Sequence, residues 1–152
     1  MTFYYVYTDG ATSNNYTDEG TGGWAYAITK DDNLVLEKSG HVERTTNNQM
    51  ELFAALEACH ACDLIAQGED CFVIRSDSSY LVNCYKQQWY KNWQKNGWVN
   101  SKKEPVKNKE YWESLIPYFE DKYFTFEKVK GHTGKKDWND YVDKLAVAAK
   151  EN

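Results

Sequence analysis

Four acidic residues occupy positions from which they can act together. Asp9 follows the aromatic and β-branched run FYYVYT, and Glu51 lies early in a helical stretch. Asp77 closes a short apolar run, and Asp143 lies in the last helical segment. Packed together, four carboxylates repel one another and raise each other's proton affinity unless cations intervene, and hard oxygen donors with few imidazoles suit Mg²⁺ or Mn²⁺ better than zinc. Taken singly, each has an ordinary explanation, because Asp is common in turns and at helix starts. The combination and its neighbours carry the functional reading.

The elements that must position these acids follow from periodicity. Residues 3–8 read as a strand, and residues 23–29 as a second, with alternating Trp24, Tyr26 and Ile28 after a turn at Gly20-Thr21-Gly22-Gly23. Residues 33–43 form a third strand, entered through the hairpin signal Asp31-Asp32-Asn33. Thr46 and Gln49 have the spacing of a capping box, which starts a helix near Asn47 that ends around Gln67-Gly68. Cys71 to Ile74 is a continuous apolar run, the mark of a central strand buried on both faces, and it ends at Asp77. Residues 78–87 are predicted helical, 88–108 form a Trp/Lys-rich excursion, and 109–121 are helical with a kink expected at Pro117. Tyr123 to Lys130 is a last strand, leading through Gly131-His132-Thr133-Gly134 to a helix that ends near Lys150. The expected class is α/β: a five-stranded mixed sheet, three antiparallel strands plus two parallel, flanked by helices. If the first and fourth strands are parallel neighbours, their carboxyl ends set Asp9 beside Asp77 in a switch-point crevice.

At 152 residues the chain fits one domain, residues 1–152, with an apolar fraction of 41% that supports a core. No apolar run approaches the roughly 20 residues of a membrane span, and the N-terminus lacks a signal-peptide layout, so a cytoplasmic location without membrane contact is expected. Cys59 and Cys62 form a C-x-x-C, but no second pair follows and their alanine-rich surroundings are helical, which favours buried, inert thiols over redox or zinc chemistry. The net charge of −5 conceals an asymmetry. Between positions 86 and 109 stand seven lysines and one acid, +6, leaving −11 for the remainder of the chain. A basic patch on an acidic body suits a molecule that meets a polyanion on one surface and gathers carboxylates on another.

Tyr7-Thr8-Asp9-Gly10, Thr45-Thr46-Asn47-Asn48-Gln49-Met50-Glu51-Leu52, Ser76-Asp77-Ser78 and Lys130-Gly131-His132-Thr133-Gly134 resemble the type 1 ribonuclease H family, segment by segment and in order. The resemblance spans nearly the whole chain. It implies a ribonuclease H-like fold and hydrolysis of the RNA strand of RNA–DNA hybrids, leaving 5′-phosphate and 3′-hydroxyl ends, as in hybrid removal during replication. The family's acidic triad maps onto Asp9, Glu51 and Asp77. For the fourth acid the spacing departs from the family, with four residues rather than three between Gly134 and Asn139. The closing pattern Asn139-x-x-Val142-Asp143-x-Leu145-Ala146 favours Asp143, with Asp140 in reserve. By resemblance two Mg²⁺ ions, or Mn²⁺, would sit roughly 3.5–4 Å apart on these acids. Asp9 would bridge both ions, and His132, in its glycine-flanked loop, would assist proton transfer or product departure.

The same resemblance assigns substrate contacts. Asn15, Asn47 and Gln49 would lie near the groove, with Arg44, Thr46 and Asn108 at a DNA-phosphate pocket, although Thr46 also has the form of an ordinary cap. The stretch from Trp89 to Trp98 interleaves aromatics with Lys91 and Lys95, a composition that stacks on bases or sugars while neutralising phosphate. It resembles the family's basic protrusion, with Trp89 as a hybrid-contacting ring and at least one of the three tryptophans packing the excursion itself. A monomer is expected. The rival readings are a hybrid-binding module without chemistry, another nuclease or integrase of the same fold, and a redox or zinc protein built on the C-x-x-C.

Overall fold

The computed structural model describes residues 1–13, 20–131, 134 and 136–152. The elements run β1 (Phe3–Thr12), β2 (Gly20–Lys30), β3 (Asn33–Thr45), α1 (Asn47–Ile65), β4 (Cys71–Ser76), α2 (Ser79–Gln87), α3 (Trp89–Asn96), α4 (Lys109–Phe119), β5 (Phe124–Lys128) and α5 (Trp138–Lys150). One sheet holds the five strands in the order β3-β2-β1-β4-β5. The pairs β1–β2 and β2–β3 are antiparallel, whereas β1–β4 and β4–β5 are parallel. This is the mixed sheet read from the sequence, with β1 and β4 as parallel neighbours.

Local chemistry explains most boundaries. Asp31 and Asp32 take φ of 51° and 62°, the left-handed pair of a hairpin turn whose twist matches the flanking strands. Thr46 caps α1 as a full capping box: its hydroxyl accepts from the Gln49 amide at 3.2 Å, and the Gln49 side chain accepts from the Thr46 amide at 3.2 Å. The helix α4 runs through Pro117 and ends two residues later.

One expectation needs correction. The segment Gly20 to Gly23 is not a turn; it belongs to β2, pairing with β1 and β3. Its glycines answer to crowding, since a Cβ on Gly22 would overlap Thr45 and Met50 and one on Gly23 would overlap the α5 backbone at Ala146 and Lys150. Within the excursion lies a further helix, α3, stopped by Gly97 at φ 81°.

The main core fills the space between one sheet face and α1, α2 and α4, with Phe72, Ile74, Leu52, Leu81, Trp112 and Phe126 among its buried side chains. Among the described residues, the other face is covered by α5, over a small cluster of Ala25, Ala27, Val142 and Ala146. Cys59, Cys62 and Cys84 are buried in the main core, and burial pushes all three thiols up, Cys84 to about 12. Thiols so disposed favour the protonated, less reactive form, in keeping with the expectation of inert cysteines. Among the described residues, no helix is long and apolar enough to cross a membrane.

Candidate functional site

The acids converge where the sheet changes direction of growth. β4 stops pairing with β1 at Ser76 opposite Thr8, while β1 continues to Thr12 along β2. Asp9 therefore lies within its strand rather than at its end, one residue beyond the last β4 partner, and Asp77 follows directly as β4 closes. Glu51 comes from the second turn of α1, whose entry is held by the capping box. One carboxylate oxygen from each of Asp9, Glu51 and Asp77 lies within 4.8 Å of the others. Asp143, from α5, joins them along a cavity of about 450 Å³ that also exposes Asn47, Asn48, Ser78 and Tyr80.

Electrostatics mark the cluster as incomplete without positive charge. Burial raises the proton affinity of Asp9 first, the nearby charges of Asp77 and Asp143 raise it further, and its pKa is pushed up to about 8. The Gly10 amide, donating to Asp9 Oδ1 at 2.9 Å, opposes this only in part. Glu51 is driven well above the usual carboxylate range, by burial and then by Asp9 and Asp77. Glu51 Oε1 is buried with no hydrogen-bond partner among the described residues. An unpartnered carboxylate oxygen aimed among other carboxylates is a donor set suited to a hard divalent cation, and among the described residues the cluster offers no thiolate or imidazole that would favour zinc.

The two candidates for the fourth acid separate cleanly. Asp143 lines the cavity and adjoins Asp9. Asp140 faces away, pairing with Lys144 at 3.1 Å beside a different depression lined by Trp138 and Tyr141. A residue not singled out in the sequence also matters: Gly131 passes so close to Asp77 that a Cβ there would overlap its carboxylate. In the sequence it stood only as a glycine flanking His132, and its nearness to Asp77 arises only once β5 lies beside β4.

Around this centre, three predicted polar residues meet. Gln49 Nε2 donates to Asn108 Oδ1 at 3.2 Å, and Asn108 Nδ2 donates in turn to the Tyr80 hydroxyl at 3.2 Å. Thr46 joins them through its capping box with Gln49. Tyr80 had no signal beyond its place on the first turn after Asp77. Arg44 and Asn47 are exposed on either side of the cap. All seven lysines of the 86–109 stretch are exposed, Lys91 and Lys95 on α3 among them. Trp93 packs on the buried Trp112, with ring centroids 5.8 Å apart, and is structural. Trp89 lines an open groove with Lys95 and Asn96. Asn15 and His132 lie outside the described residues.

Residues 2–151 match the RNase H family along nearly their whole length. The chain belongs to the ribonuclease H family. It is thus akin to hydrolytic nucleases and resembles the ribonuclease H of Syntrophomonas wolfei, 43% identical over 141 residues that make up 93% of this chain and 91% of that protein. Among solved structures, LC9-RNase H1, described as a type 1 RNase H with the type 2 active-site motif, superposes with a TM-score of 0.82 over 99% of this chain and 72% of that one at 24% identity. LC11-RNase H1, solved in complex with an RNA/DNA hybrid, superposes with a TM-score of 0.69 over 97% and 96% at 21% identity. The family relationship agrees with the fold.

Proposed function

We propose that this ribonuclease H family member is a metal-dependent endonuclease that hydrolyses the RNA strand of RNA–DNA hybrids at the acid cluster, leaving 5′-phosphate and 3′-hydroxyl ends. The observation that carries the reading is the set of buried carboxylates of Asp9, Glu51 and Asp77, within 4.8 Å of one another and with Asp9 and Glu51 pushed toward protonation. Those three and Asp143 would hold two divalent ions, Mg²⁺ or Mn²⁺. Bound there, such ions supply a water of lowered pKa and charge stabilisation for the leaving oxygen.

The chain's own residues do the rest. Asp9 is aimed by the Gly10 amide, and Asp77 is held by its contact with Gly131. Thr46, Gln49 and Asn108 present a connected polar edge for the DNA strand, with Arg44 adding charge, and Asn47 faces the cavity for the RNA strand. Lys91, Lys95 and Trp89 would grip the backbone beyond it. His132 and Asn15 keep the roles expected of them, proton transfer or product departure and groove contact. Residues 1–152 act as one catalytic domain, monomeric and cytoplasmic, and the hybrid bound by LC11-RNase H1 is the same substrate class.

The test is cleavage of an end-labelled RNA–DNA hybrid beside single-stranded RNA, RNA duplex and DNA duplex, in Mg²⁺, Mn²⁺ and chelator. Metal-dependent cutting of the hybrid's RNA is expected. Tight binding without cutting would make the chain a hybrid-binding module.

A further inference from the structure

We infer that Trp138 and Tyr141 are positioning residues for Asp143, latching α5 to the β2–β3 hairpin through Asp32 and Glu37 and so setting the roll of the helix about its axis. The inference rests on the reading of Asp143 as the fourth carboxylate.

The contact beneath α5 has a centre of small side chains, with Tyr7 and Leu145 at its margin, and constrains that roll only weakly. Ala25 and Ala27 meet Val142 and Ala146, and Gly23 lets the helix backbone come close. Small side chains allow near approach but leave few ridges to interlock, so the surface resists separation better than rotation. The Asp140–Lys144 pair lies within the helix itself and anchors it to nothing else. Two directional side-chain contacts join one flank of α5 to the β2–β3 hairpin. Trp138 Nε1 donates to Asp32 Oδ1 at 2.7 Å, and the Tyr141 hydroxyl donates to Glu37 Oε2 at 2.5 Å. Both are short, charge-assisted bonds. The two rings meet edge to face at 5.1 Å and pack against the small-residue cluster, which gives the bonds an apolar base. Asp32 is itself fixed, at φ 62° in the hairpin turn.

Asp143 lies on the other flank, about 140° around the helix from Trp138 at 3.6 residues per turn. There it lines the acid cavity with Val147. A side-chain tip stands roughly 5–6 Å from the helix axis, so a roll of about 10° moves the carboxylate by ~1 Å. A displacement of that size can cost on the order of 10²-fold in rate. Further ties from His41 to the Ala149 carbonyl, at 3.0 Å, and from Asn139 to the Lys130 carbonyl, at 3.4 Å, hold the two ends of the helix along the sheet. The latch lies in the first turn of α5, beside the Asn139 tie.

The test compares Trp138→Phe/Tyr141→Phe, which keeps both rings and removes both donors, with Asp32→Asn, which keeps an acceptor for Trp138, and with Asp143→Asn. Mn²⁺ affinity without substrate is measured by calorimetry, kcat and KM on the hybrid by cleavage, and Tm in chelator. The double variant is expected to weaken Mn²⁺ binding and lower kcat by about 10-fold, within the range of losses for groups that orient ligands. KM should stay within about twofold, and Asp32→Asn should behave as the parent chain, since acceptor geometry survives. Added to Asp143→Asn, the double change should cost little more, because both act through one carboxylate. Parent-like Mn²⁺ binding and kcat in the double variant, beside a damaged Asp143→Asn, would overturn the latch while leaving the site intact. Losses that persist undiminished in the Asp143→Asn background would equally overturn it. An undamaged Asp143→Asn would instead remove the fourth carboxylate from the site, and the latch with it.

Discussion

Replacing Asp9 with asparagine should abolish cleavage and yet make the metal-free protein more stable. Folding buries Asp9 to 3% exposure beside other acids and pushes its pKa up to about 8, against about 3.9 in an unfolded chain. A carboxyl that binds its proton more tightly when folded contributes stability that is fully present below pH 4 and is lost as the pH rises toward 8. At pH 7 the unfolded chain has released this proton and the folded chain still holds it. At about 1.4 kcal/mol per pH unit that difference disfavours folding by up to ~4 kcal/mol. Coupling among the acids shares this cost, so about 2 kcal/mol is a fair expectation for one substitution. Asparagine resembles the protonated acid in shape and cannot ionise, so Asp9→Asn should melt about 4–8 °C higher than the parent at pH 7 in chelator. The two should converge near pH 4. Added Mg²⁺ should narrow or invert the gap at pH 7, since it stabilises only a chain that binds it. Thermal and urea unfolding at pH 4, 7 and 8.5, with and without Mg²⁺, measure all of this. Equal or lower stability of Asp9→Asn at pH 7 in chelator would refute the account of a repulsive, metal-awaiting cluster.

Other outcomes follow from single contacts. Gly131→Ala should lower kcat by about 10-fold or more and destabilise by about 1–3 kcal/mol, because its Cβ meets the Asp77 carboxylate, and steady-state cleavage with a melt checks both. Neutralising Lys91, Lys95 and Lys102 together should weaken hybrid binding and flatten its dependence on log salt by up to about 3, measured by fluorescence anisotropy, whereas an unchanged slope would place the substrate elsewhere. Thr46→Ala removes the capping box and should cost about 0.5–2 kcal/mol in urea unfolding, with Thr46→Ser close to the parent.

What could be read ahead of the structure was local. The Thr46/Gln49 cap, the Asp31-Asp32 turn and the apolar run of β4 depend on residues a few positions apart, and each formed as expected. Gly22 and Gly23 were misread because glycine serves turns and close approaches alike, and the crowding neighbours, Met50 and the α5 backbone, are distant in sequence. The helix α3 was hidden because its residues WYKNWQKN bury only Tyr90. Asp140 and Asp143 lie nearly one turn apart, and periodicity alone cannot say which flank of α5 faces the acids. The bond from Trp138 to Asp32 spans 106 residues and has no local signature.

The rings behind the basic protrusion have a mechanical consequence. Trp98 contacts Trp93, Trp93 contacts Trp112, Trp112 contacts Phe119, and Phe119 contacts Phe126 on β5, with centroids 5.0–6.2 Å apart throughout. β5 in turn runs beside β4, which ends at Asp77. The lysines are therefore mounted on the fixed jaw of a caliper, at a span from the carboxylates that packed rings hold constant. On the proposed function, a duplex whose strands are spaced to that gauge would touch both jaws at once, and one of another width would reach only one. Such selection by width would need no reading of bases, and a change at the buried Trp112 would reset the gauge.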